Sequence, residues 1–84
     1  MYNISERIDT WQNKLAYYKR KESILKQRIA NEESKRESIN RLPVGSPKIE
    51  RFYKYLNSLY AQYYALPSKI RLCRDNIFTL KNGI

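Results

Sequence analysis

The sequence predicts an all-α fold, an antiparallel two-helix coiled-coil hairpin in a single domain over residues 1–84. Three observations predict it. Apolar residues recur at alternating three- and four-residue steps along both halves of the chain. Turn-forming residues crowd into one stretch, Leu42-Pro43-Val44-Gly45-Ser46-Pro47. The two halves mirror each other about Val44. Sustained heptads mark helices packed along a narrow seam, and a Pro/Gly/Ser cluster between two such runs marks the reversal.

The first helix is expected over about residues 4–41. Asn3 and Glu6 have capping-box spacing, in which each side chain satisfies the other residue's backbone amide. With Ile8 at heptad position a, the seam runs Ile4, Ile8, Trp11, Leu15, Tyr18, Glu22, Leu25, Ile29, Glu32, Arg36 and Ile39. Neither Gly nor Pro interrupts it before Pro43, where the residue preceding the proline is driven out of the α region. The turn occupies residues 42–47.

The second helix is expected over about residues 47–82. Ser46 and Pro47 suit the N-cap and first helical positions. Its seam runs Ile49, Phe52, Leu56, Leu59, Tyr63, Leu66, Ile70, Cys73, Ile77, Leu80 and Ile84. Pro67 removes one amide and crowds the Tyr63 carbonyl, so a kink is expected near it. Because the heptad phase persists beyond Pro67, the helix should continue. Mirroring about Val44 pairs Ile4 with Ile84, Leu15 with Cys73, Leu25 with Tyr63 and Ile29 with Leu59. It also sets three polar positions, Glu22, Glu32 and Arg36, opposite Leu66, Leu56 and Phe52.

Composition narrows the function classes. Hydrophobic residues make up 42% of the chain, enough for a seam but thin for an independent globule. A single Cys excludes an internal disulfide, and the chain has no His. No metal-ligand spacing, Gly-rich phosphate loop or nucleophile–base pair is present, so no enzymatic activity, metal or cofactor is expected. Cys73 falls on the seam, as a core side chain would. No apolar run reaches the roughly 20 residues of a membrane span. Met1–Glu6 lacks the basic-then-apolar order of a secretory signal, so a cytoplasmic or intravirion location is expected. Frequent Ile, Lys, Asn and Tyr match an AT-rich genome and suggest a phage or mobile-element origin.

The net charge of +9 favours an anionic partner. Arg7, Lys14, Lys21, Arg28 and Lys35 recur every seventh residue, with Lys19, Arg20 and Lys26 close by. None of the residues expected to flank this ladder from the second helix (Tyr55, Gln62, Lys69, Asn76 and Gly83) is acidic. An unpaired row of cations at fixed spacing suits phosphate tracking, so nucleic acid or an acidic protein surface is the expected partner. The second helix also carries more aromatic side chains than its seam uses. Tyr53, Tyr55, Tyr60 and Tyr64, with Leu72 and Phe78, form a candidate protein interface, since large amphipathic rings concentrate at contacts. A homo-oligomer or a place in a larger assembly is expected there.

Two architectures resemble this pattern. The Pro43-x-x-x-Pro47 turn and the helix after it are similar to type III secretion needle subunits, which implies a structural subunit of a needle or virion. The hairpin as a whole resembles Rop-like hairpins, which implies dimerisation and RNA binding. Docking as a small inhibitor on an acidic protein is a further alternative.

Overall fold

A computed structural model describes residues 3–83. Met1, Tyr2 and Ile84 fall outside them, and with Ile84 the expected end layer between Ile4 and Ile84. The fold is all-helical: α1 spans Ile4–Glu33, α2 spans Arg36–Asn40 and α3 spans Pro47–Lys81. None of these helices is long and apolar enough to cross a membrane.

The start of α1 is built as its sequence dictates. The Glu6 amide donates to Asn3 Oδ1 at 2.8 Å, and the Asn3 amide donates back to Glu6 Oε2 at 3.4 Å. Both orphan donors of the first turn are satisfied reciprocally.

One unbroken helix to Arg41 is not what forms. The chain leaves the α-helix at Ser34 and Lys35 and resumes as α2. The break coincides with a change of hydrogen bonding at the Asn31 carbonyl. The Ser34 hydroxyl donates to the Asn31 carbonyl at 2.6 Å, the acceptor that the Lys35 amide would use in a continuing helix. The Lys35 amide bonds the Glu32 carbonyl instead, at 3.0 Å, a tighter turn. Ser side chains compete with helical bonding in this way. The adjacent seam positions, Glu32 and Arg36, are polar and offer no apolar packing to hold the helix straight.

The connector is a tight turn. The Ser46 amide donates to the Pro43 carbonyl at 3.1 Å, and Gly45 adopts φ 88°. A positive φ at the third residue is the requirement of a type II turn, which glycine meets without a Cβ penalty. Nothing lies within 4 Å of where a Gly45 Cβ would sit, so the constraint is conformational rather than one of space. α3 then starts at Pro47 as expected, with the Ser46 carbonyl accepting from the Ile49 amide at 3.1 Å.

α3 runs without interruption through Pro67 to Lys81. Continuation past the proline therefore holds. A strong seam on both sides outweighs one missing hydrogen bond.

The residues group into two compact units, one of Met1–Glu22 with Ala65–Ile84 and the other of Ser23–Tyr64. In the second unit the core is Leu25 and Ile29 of α1 with Phe52, Leu56 and Leu59 of α3. In the first unit it is Leu66, Ile70 and Cys73, with Ile8, Trp11, Leu15, Tyr18, Ile77 and Leu80 half-buried. Every one of these residues belongs to the predicted seam.

Candidate functional site

The predicted cations do not form a uniform ladder. In the first unit, Arg7, Lys14, Lys19 and Arg20 are exposed and Lys21 is half-buried. Among the described residues, no carboxylate lies within ion-pair distance of any of the five. Among the described residues of this unit the one ion pair, Arg71 with Asp75 at 4.0 Å, is on α3 and exposed. Lys69, expected to oppose Lys21, places its ammonium over the Tyr18 ring, 5.7 Å from the centroid.

The second unit differs. Lys26 and Arg28 are exposed and without a carboxylate partner among the described residues. Lys35, however, pairs with Glu32 at 3.2 Å. Lys35 therefore leaves the unpaired row. Its partner lies three residues back on the same chain, a spacing outside the pairs that face each other across the seam. Of two further pairs, Arg36 with Glu33 at 2.7 Å spans the α1–α2 break and Arg41 with Glu37 at 2.7 Å lies beyond it.

The aromatic set also divides. Tyr53 and Tyr60 are half-buried, and their hydroxyls donate across to the preceding helices. Tyr60 Oη reaches Glu33 Oε1 at 2.7 Å, and Tyr53 Oη reaches Asn40 Oδ1 at 2.6 Å. The donors are seven residues apart and so are the acceptors, which makes these two rungs of one flank of the helix pair. The Arg36 guanidinium lies 5.6 Å from the Tyr53 ring centroid. Tyr53 and Tyr60 thus make contacts within their own unit. Tyr55 and Tyr64 of that unit are exposed, Tyr64 at 68%. In the first unit Leu72 and Phe78 are exposed, Phe78 at 64%. These four remain as surface apolar groups.

Glu33 is the most perturbed acid. Two hydrogen bonds from the Arg36 guanidinium, and then the Tyr60 hydroxyl, hold its pKa down to about 2. The same hydrogen bond pushes the Tyr60 phenol above its usual range. A carboxylate with a lowered folded pKa adds stability above its ordinary value of 4.5, and that contribution is lost as pH falls toward 2. Both groups are partly solvated, so the contribution is modest. The melting temperature of the native chain should therefore fall more steeply between about pH 4.5 and 2 than that of Glu33→Gln. Parallel pH profiles for the two proteins would refute the coupling.

Arg7, Thr10, Trp11 and Lys14 line an open groove of about 220 Å³ in the first unit. The spacing of these residues puts them on one face of α1. Trp11 is a seam residue, yet it is only half-buried. Lys14 Nζ sits 4.5 Å from its ring centroid, a contact that is worth about 0.5–1 kcal/mol at an exposed site. The Arg7-x-x-x-Trp11-x-x-Lys14 spacing was available to find it.

No protein-family model, curated protein or solved structure matches the chain.

Proposed function

We propose that the chain is a non-enzymatic binding protein, a basic helical hairpin that grips the phosphate backbone of a nucleic acid, free or in a nucleoprotein. The observation that carries this is the set Arg7, Lys14, Lys19, Arg20 and Lys21, cations without ion-pair partners among the described residues of the first unit. Unpaired lysine and arginine side chains gain most where they displace counterions from closely spaced phosphates. A strongly basic composition and the AT-rich residue usage fit a phage or mobile-element protein acting beside DNA or RNA.

The proposal takes the helix pair to be an antiparallel coiled coil mirrored about Val44. One observation supports the antiparallel sense and a second the register. The tyrosine rungs run in opposite directions along the chain, Glu33 with Tyr60 and Asn40 with Tyr53. The division between the units falls at Glu22 and Ala65, within one residue of mirror positions. A bend of α3 near Pro67 belongs to the same proposal, because the missing amide leaves the Tyr63 carbonyl without its helical donor.

A salt titration tests the function. Binding to a labelled single-stranded DNA or RNA should weaken about 100-fold between 50 and 200 mM salt, as expected for four or five phosphate contacts. Affinity that stays level across the series would overturn the proposal.

A second reading, a subunit of an assembly or an inhibitor docked on an acidic protein, is favoured by the exposed Tyr55 and Tyr64. Under it, the Tyr55→Ser, Tyr64→Ser double variant should lose self-association in light scattering while keeping its helical circular dichroism. A native chain that is monomeric at all concentrations removes self-assembly.

A further inference from the structure

We propose that the groove of Arg7, Thr10, Trp11 and Lys14 holds one unstacked base of a single-stranded nucleic acid against the Trp11 indole, with Arg7 and Lys14 on the flanking phosphates. The inference rests on the nucleic-acid reading above and specifies which form of nucleic acid the chain selects and where.

The geometry favours a base over a bare anion. An anion alone would not use the flat apolar face that Trp11 adds to the lining beside Arg7, Thr10 and Lys14. Cations stand at both ends of the same face, seven residues apart on α1. Their rise along the helix is about 10 Å, so they fall on either side of a ring seated at Trp11. The volume of about 220 Å³ lies below the roughly 300–1,000 Å³ of pockets that enclose a whole small molecule. It suits one flat ring laid on another with its sugar and phosphates outside.

The Lys14 ammonium already over the ring shows that an electron-rich face is presented to the basic side. A base replaces that contact with stacking, which is the stronger interaction for an exposed indole. The ammonium is then released to a phosphate.

The groove has little to read base identity with. The Thr10 hydroxyl donates to the Glu6 carbonyl at 3.0 Å, so its proton is spent within the helix. Arg7 and Lys14 are long and exposed, and duplex DNA keeps its bases stacked away from the indole. Selection is therefore for single strands, with weak preference among bases.

Trp11 is the only tryptophan of the chain, so its emission reports on this site alone. The test is a titration of the full chain at low salt with an oligothymidylate, an abasic oligomer of equal length and charge, and a duplex. The thymidylate should quench the indole and bind about tenfold tighter than the abasic strand, and the duplex should leave the emission unchanged. Trp11→Leu keeps an apolar side chain on the seam, and its helical circular dichroism establishes that it folds. Read by anisotropy of a labelled strand, it should bind the thymidylate and abasic strands equally. Trp11→Phe, which keeps a ring, should restore part of the difference.

Equal binding of thymidylate and abasic strands by the native chain, with unchanged emission, would overturn the stacking site and leave backbone binding standing. Failure to bind any of the three at low salt would overturn both. Equal quenching by polyglutamate would overturn selection for a base.

Discussion

Leu56→Ala should unfold most of the protein at room temperature. Leu56 is 1% exposed and lies in the core of its unit with Leu25, Ile29, Phe52 and Leu59. Truncating a buried leucine to alanine removes about 2–5 kcal/mol, the range reflecting how far the surroundings collapse into the cavity. Collapse is limited here, because the neighbours sit on two helices held by the rungs from Tyr53 and Tyr60. Among the described residues only eight hydrophobic side chains are buried, and small single-seam domains have only a few kcal/mol to lose. Urea titration followed by circular dichroism measures it. Val44→Ala provides the comparison, since Val44 is fully exposed at the turn and its loss should change stability by less than about 0.5 kcal/mol. Equal midpoints for the two variants would show that Leu56 is not a core residue.

The second large effect concerns binding. Reversing three cations in Lys14→Glu, Lys21→Glu, Arg28→Glu should reduce the magnitude of the salt slope by about two to three and weaken binding at 50 mM salt by at least roughly tenfold. Arg28 is exposed, Lys14 is exposed at the groove and Lys21 is half-buried. None takes part in an ion pair among the described residues, so the helical signal should persist. The control is Lys48→Glu, Arg51→Glu, Lys54→Glu, which alters net charge equally on exposed positions of α3. If both triple variants bind alike, the protein attracts nucleic acid through its overall charge and has no defined face. If the first triple variant binds as the native chain does, these cations are only a solvated surface.

The core was legible in the sequence because burial follows a strict heptad. Leu25, Ile29, Phe52, Leu56, Leu59, Leu66, Ile70 and Cys73 are all seam residues and all buried. The capping box at Asn3 and the start at Pro47 were legible too, since both depend on residue types at fixed short spacing. The break after Glu33 was not. It is accompanied by local hydrogen bonds at the Asn31 and Glu32 carbonyls, and a hydrophobic pattern carries no information about those. The polar seam residues Glu32 and Arg36 marked only where packing was weak.

The exposure and pairing of the candidate residues were legible in part. Charge and spacing singled out Arg7, Lys14, Lys19, Arg20 and Lys21, which have no carboxylate partner among the described residues, whereas Lys35 pairs with Glu32. Periodicity set Tyr53 and Tyr60 off the seam. It did not show that their phenols are long enough to reach Asn40 and Glu33 across it. Trp11 was assigned to the core by its heptad position, and its half-exposed ring became visible only with the side chain of Lys14 in place.

The Ser34 contact to Asn31 has a dynamic consequence. α2 is only five residues long and buries no side chain. It is joined to α1 through a single tight turn and leads into the Pro43–Ser46 reversal. Segments with few buried contacts open at a small fraction of the global unfolding free energy. Amide hydrogens of residues 34–46 are therefore expected to exchange faster than those around Leu25 and Ile29, restrained mainly by the Tyr53 hydroxyl on Asn40. An insertion in the reversal should cost less stability than one inside α1 or α3.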